Sequence, residues 1–199
     1  MLLLLEHNPV FTIGRMGKPD EILVTKERLG REGIEVYKIE RGGSTTFHGP
    51  GQLVGYPIIN LKGIHCSAVT FLRKIEEILI AVVNEYGIYA YAQQGKTGVW
   101  VQRKKIASIG IHVSHWITRH GFALNVCNSL HYFSMIIPCG MPDCEFASMS
   151  GILQQHIEPK SVMLRVAAHF ARIFEFEYRI SESPEELFEK AAAIPAESS

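Results

Sequence analysis

The stretch from Ile88 to Val126 holds four strand-like segments, "IYAYAQ", "GVWV", "KIASIGIHV" and "ITRHGFALNV". Too few residues lie between them for a helical crossover, which needs a dozen or more. Neighbouring segments must therefore run antiparallel, joined by tight turns. "LLLLE" at the start, "EVYKIE" (Glu35 to Glu40) and "LVGYPIIN" (Leu53 to Asn60) read as further strands. Residues Gly14 to Gly33 between the first two are turn-rich and charged and read as a surface excursion. A sheet of this kind needs something apolar to lie on. Ser67 to Tyr86 supplies it: Ser67 caps a helix whose Val69, Leu72, Ile75, Leu79, Val82, Val83 and Tyr86 share one face, and Gly87 stops it. A second helix is predicted over about Lys160 to Phe174, with Val162, Val166, Phe170 and Ile173 at helical spacing. A third begins at the capping box of Ser183, Pro184 and Glu186, and residues 190–199 read as a frayed tail. No repeat or linker interrupts the chain, so residues 1–199 are expected to form one α+β domain.

Twenty basic and twenty acidic side chains cancel, so no overall field points to nucleic acid. The opening leucines lack a basic flank and run straight into Glu6 and His7, which reads as a buried strand rather than a signal peptide. No apolar run reaches membrane-spanning length. Cys66, Cys127, Cys139 and Cys144 form no CxxC pair, and reduced thiols in a cytoplasmic protein are expected.

Three places can carry chemistry. "RGGSTTFHGPGQLVGYPI" spends five glycines between Arg41 and Gly55, with Arg41 at its head and His48 inside. Glycines let backbone approach a ligand closely, and an arginine presents a fixed fork of donors. A wide hairpin connection is the plain alternative. No P-loop or dinucleotide fingerprint is present. In "RKKIASIGI", Lys105 opens a strand and can point inward, whereas Arg103 and Lys104 face water; a solvated basic turn is the plain alternative. In "IIPCGMPDC", Cys139 between Pro138 and Gly140 sits in a turn that leaves a thiol accessible. His112 and His115 fall on opposite faces of a strand, and Cys139 with Cys144 makes only half a zinc site, so no metal site is expected.

Taken together, "RGGSTTFHGPGQLVGYPI", "KTGVWV…KIASIGI", "ITRHGFALNV" and "IIPCGMPD" resemble the lipoyl(octanoyl) transferases over about Leu2 to Leu153. The resemblance implies a biotin/lipoate protein ligase-like α/β fold, a mixed, mainly antiparallel sheet with flanking helices. It implies transfer of an octanoyl (or lipoyl) group from acyl carrier protein to a lysine of lipoyl domains, those of 2-oxoacid dehydrogenase E2 subunits and the glycine cleavage H protein, without a cofactor. Cys139 matches the acyl-thioester cysteine and Lys105 the lysine beside it. Segments matching the lining of the acyl site are Arg41, Gly42, Gly43, Ser44, Thr45, Thr46, Phe47 and His48; Ser108, Ile109 and Gly110; and Gly121, Phe122 and Ala123. Family members usually carry a further strand and helix before the first strand found here, and their lack is expected.

An apolar tunnel between the sheet and the long helix is expected for the acyl chain, and Arg15, Lys18, Arg41, Arg103 and Lys104 are expected to rim a docking surface for an acidic carrier. Cys144 reads as a packing residue. Two other readings stay open: an ATP-dependent lipoate or biotin ligase of the same fold, and a non-catalytic module that binds acyl groups or carrier protein.

Overall fold

The computed structural model describes residues 1–138 and 144–181. The expectations for Cys139, for a helix from Ser183 and for a frayed tail at 190–199 concern residues outside them.

In chain order the elements are β1 (Leu2–Leu5), β2 (Val10–Ile13), α1 (Lys26–Arg31), β3 (Glu35–Lys38), β4 (Thr45–His48), β5 (Gln52–Pro57), α2 (Ala68–Glu85), β6 (Tyr91–Gln93), β7 (Lys96–Val101), β8 (Lys104–Ser114), β9 (Ile117–Asn125), α3 (Met149–Leu153) and α4 (Pro159–Phe174). Six strands make an antiparallel sheet in the order β1-β5-β9-β8-β7-β6, as the short connections require. Three others make a small second sheet, β3-β2-β4, in which β2 and β3 run parallel. Two of its members, β2 and β4, are absent from the sequence-based reading, which took Thr45–His48 as loop.

Helices α2 and α4 cover one face of the large sheet. Ser67 caps α2 by accepting from the Thr70 amide, and Gly87 follows with φ 77°. The buried stripe is Phe71, Ile75, Ile78, Leu79, Val82 and Val83, all fully enclosed. Each such side chain contributes about 1.5–3 kcal/mol of gross burial. The expected stripe is thus shifted: Val69 is 71% exposed, because at about 100° per residue it lies well off the face centred on Ile75, Leu79 and Val82, while Phe71 of the same turn lies on it. Among these apolar groups sits Glu76, whose carboxylate accepts from the Gly98 amide (3.0 Å) and pairs with Arg73 (2.5 Å). A buried carboxylate without such partners would be costly; here it fastens α2 to β7.

Tight turns join β7 to β8 through Gln102 and Arg103 and β8 to β9 through His115 and Trp116, all four with positive φ. That is the twist a two-residue hairpin needs, met here without the usual glycine or asparagine. Along β7 and β8, Val99 pairs with Ala107 but Trp100 with Lys105, so β8 carries an extra residue and bulges at Ile106.

Candidate active site

The face of the large sheet away from the helices is roofed by the small sheet. Between them lies a cavity of about 430 Å³. Its floor is β5, β8 and β9 and its roof is β2, β3 and β4. No residue of α2 lines it. The expected tunnel against the long helix is therefore corrected: that face is filled by the packed stripe of α2, and this cavity lies between the two sheets.

Strand alternation decides which predicted residues meet the cavity. In β4, Thr46 and His48 face it. Thr45 and Phe47 face the other way, Phe47 into a second core where it stacks on Tyr132 at 4.5 Å. Ser44 is turned aside as well, its hydroxyl donating to the Glu21 carboxylate, which also accepts from the Thr45 amide. Arg41, Gly42, Gly43, Ser108, Ile109, Gly110, Gly121, Phe122 and Ala123 do line the cavity. So do His7, Thr12, Tyr37, Val54, Tyr56 and His120, which were not singled out as site residues.

Arg41 is buried. Its Nε donates to Thr12 Oγ1 (3.1 Å), Nη2 to the Thr12 carbonyl (2.6 Å) and Nη1 to the Gly42 carbonyl (3.1 Å). The guanidinium thus knots the start of the glycine segment to β2, and a buried group cannot belong to a docking rim. The Gly42 amide in turn donates to Ile111 of β8. That approach depends on Gly110, where a Cβ would fall 2.7 Å from the Gly42 oxygen. Gly110→Val is expected to cost about 1–3 kcal/mol by overpacking and to release the Gly42 amide. Chemical denaturation and hydrogen exchange at Gly42 measure the two effects; unchanged exchange would mean that the loop is held some other way.

Neutral imidazoles gather at one side of the cavity. Burial pushes the pKa of His48 down to about 4, helped by positive Arg41 and by His7 and His120 and opposed by its bond to Gln52. Burial lowers His7 too, and lowers His120 together with the Arg41 charge. His7 Nε2 lies 2.6 Å from the Tyr56 hydroxyl. A site so arranged offers imidazole lone pairs and an apolar floor beside the buried Arg41 guanidinium.

Lys105 does not line the cavity. It is 4% exposed, with Nζ 5.5 Å from the centre of the Trp100 ring. Its backbone is held on both sides: its amide donates to the Glu145 carbonyl (2.8 Å) and its carbonyl accepts from the Ala147 amide (3.0 Å). Gly98, with φ 127°, leaves the space its stem fills, since a Cβ there would lie 2.6 Å from Lys105 Cε. On the other side of the undescribed residues, Pro138 bridges to Thr45 of β4, and the Ile137 amide donates to the Glu21 carbonyl. The interval 139–143 is bounded by β4 at one end and by the start of β8 at the other. Arg103 is exposed as expected, and exposed Lys104 pairs with Glu145 at 3.2 Å.

This architecture, two sheets about a cavity with helices on the outer face, is shared with solved lipoate protein ligases. The bipartite lipoate protein ligase of Thermoplasma acidophilum superposes with a TM-score of 0.72 at 17% identity, covering 95% of this chain and 78% of its own. Residues 1–171 match the family model of the lipoyl protein ligase A/B catalytic domain, and the chain belongs to that family, in its octanoyltransferase group. The Octanoyltransferase of Caldicellulosiruptor saccharolyticus is 46% identical over 180 residues, 89% of this chain and 77% of the relative. That of Pelobacter propionicus is 48% identical over 169 residues, 85% of this chain and 78% of the relative.

Proposed function

We propose that this chain takes an octanoyl group from acyl carrier protein onto Cys139 as a thioester and passes it to a lysine of a lipoyl domain, with Lys105 assisting both steps. The observation that carries this reading is the buried Lys105 amine, on a strand whose start is bonded to residues 145–147, together with a cavity whose floor includes Val54, Ile109, Phe122 and Ala123. Burying about six methylenes of an octanoyl chain contributes roughly 5 kcal/mol at ~0.8 each.

The chemistry follows from proton affinities. A free thiol near pKa 8.5 is about 3% thiolate at neutral pH. An ammonium within a few ångströms favours the anion, and lowering the pKa to about 7 corresponds to roughly 2 kcal/mol. The thiolate attacks the carrier's thioester; the new C–S bond forms as the old one breaks, and the carrier leaves as a thiol, taking the proton of the Lys105 ammonium and leaving that amine neutral. Thioester replaces thioester, so no ATP is required. The acceptor lysine then attacks. Its ammonium, with a reference pKa of about 10.4, must shed a proton first, and neutral Lys105 takes it. The C–N bond forms, the C–S bond breaks, and the sulfur leaves as a thiolate. E2 subunits and the glycine cleavage H protein are the acceptors in this reading, and a cytoplasmic setting fits the free thiols of Cys66 and Cys127. Among the described residues no helix is long and apolar enough to cross a membrane.

Intact-mass measurement after mixing the chain with octanoyl carrier protein is the test. A single octanoyl adduct, absent from Cys139→Ala, is expected. No adduct, together with octanoyl-AMP formation from ATP and octanoate, would make the chain a ligase instead.

A further inference from the structure

A line of buried amide side chains runs from the cavity wall to the strand that holds Lys105. His48 Nδ1 lies 2.9 Å from Gln52 Oε1, Gln52 Nε2 lies 2.9 Å from Asn125 Oδ1, and Asn125 Nδ2 lies 3.1 Å from the Ala147 carbonyl. Gln52 and Asn125 are 1% and 2% exposed. They stand opposite each other on β5 and β9. The Ala147 amide then donates to the Lys105 carbonyl.

The polarity of this line is fixed from its far end. A backbone carbonyl can only accept, so the Asn125 group facing Ala147 is its NH₂. Asn125 Oδ1 is therefore the acceptor for Gln52, a second donor to it being Asn128 Nδ2 at 3.2 Å. That leaves the Gln52 oxygen to face His48. An amide oxygen cannot donate, so His48 Nδ1 must carry the proton, and a neutral imidazole then has its lone pair on Nε2. Nε2 has no hydrogen-bond partner among the described residues, and His48 lines the cavity.

We propose that Gln52 and Asn125 are positioning residues, which lock His48 as the Nδ1–H tautomer so that Nε2 accepts a hydrogen bond from the incoming lysine amine, and which tie that ring through Ala147 to the strand that holds Lys105. The assignment rests on the acyl-transfer reading for its substrate, and on the hydrogen-bond directions alone for the tautomer. An acceptor-only nitrogen suits an amine N–H and gives nothing to a thioester carbonyl, which itself only accepts. Its depressed basicity means that it aims the amine without removing the proton, a task left to Lys105. The relay thus serves the second half-reaction.

Long-range ¹H–¹⁵N correlation on histidine-labelled protein at pH 7 reads the tautomer, with the charged and titratable neighbours of the ring being His7, Arg41, Tyr56 and His120. The Nδ1–H form is expected for His48. In Gln52→Glu, which places a carboxylate against Nδ1–H, the His48 titration midpoint is expected to rise by more than one pH unit. Single-turnover transfer from the octanoyl-enzyme to a lipoyl domain is expected to fall about tenfold, with acylation by octanoyl carrier protein changing less than twofold. An Nε2–H ring in the unaltered protein, an unmoved midpoint, or equal slowing of both half-reactions overturns the proposal. Should Gln52→Glu fail to fold, the tautomer of the unaltered protein still decides. Should the chain take up no octanoyl group, the acyl-transfer reading fails while the tautomer and midpoint remain readable, so the two failures are distinct.

Discussion

Lys105→Met is expected to lower octanoyl transfer by about 10²–10⁴-fold, the usual scale for loss of a positioned acid–base group. Methionine keeps the apolar stem that fills the space beside Gly98 and Trp100 while removing the charge. The backbone bonds to Glu145 and Ala147 do not involve the side chain and survive the change. Stability should therefore move little and chemistry much. Two readouts separate the roles of the amine. The pH midpoint for iodoacetamide alkylation of Cys139 is expected to rise toward the ordinary thiol value of about 8.5. Single-turnover rates are expected to fall in both half-reactions, since one needs the thiolate and the other the base. An unchanged alkylation midpoint would remove Lys105 from the activation of the thiol, and unchanged transfer would remove it from the chemistry altogether.

The second large effect is on acid stability. His48 titrates near 4 in the folded chain, because burial disfavours its cation, and near 6.5 when unfolded. Below about pH 6.5 the unfolded chain takes up a proton that the native chain refuses. Stability attributable to this ring is thus fully present above 6.5 and drains away as the pH falls toward 4. Over that window the loss amounts to about 3 kcal/mol, from roughly 2.5 units at 1.36 kcal/mol each. His7 and His120, lowered in the same direction, add to it. Urea denaturation at pH 7 and pH 4 measures the difference. His48→Gln, which has no proton to gain, is expected to flatten the slope by most of that amount. An identical pH dependence in the variant would mean that the ring is charged or solvated in the native chain.

Much of the architecture was legible because it rests on local rules. The hairpin spacing between Ile88 and Val126 dictates antiparallel pairing, and Ser67 with Gly87 brackets α2 as capping demands. What was not legible depends on contacts distant in sequence. The stripe of α2 shifts because Phe71 packs on Phe174 of α4, more than ninety residues away, which no periodicity reveals. β2 and β4 are only four residues each, and the second of them hides inside a glycine-rich run that reads as loop. The motif from Arg41 to His48 contributes Arg41, Gly42, Gly43, Thr46 and His48 to the cavity wall. Only alternate side chains of β4 reach the cavity, and that phase is invisible until the strand is recognised. His7, Tyr56 and His120 come from three separate strands or their ends and carry no shared spacing. Gln52 and Asn125, 73 positions apart, meet only through the register of β5 with β9. One signal was available: "HGPGQ" places a glutamine four residues after the histidine, a step that a tight turn folds back into contact.

The anchoring of Pro138 and of Glu145 has a mechanical corollary. Pro138 is tethered to the roof and Glu145 to the floor of the same compartment. The two anchor points thus sit on different layers of the fold. A change in the spacing of β4 and β8 therefore alters the distance between residues 138 and 145.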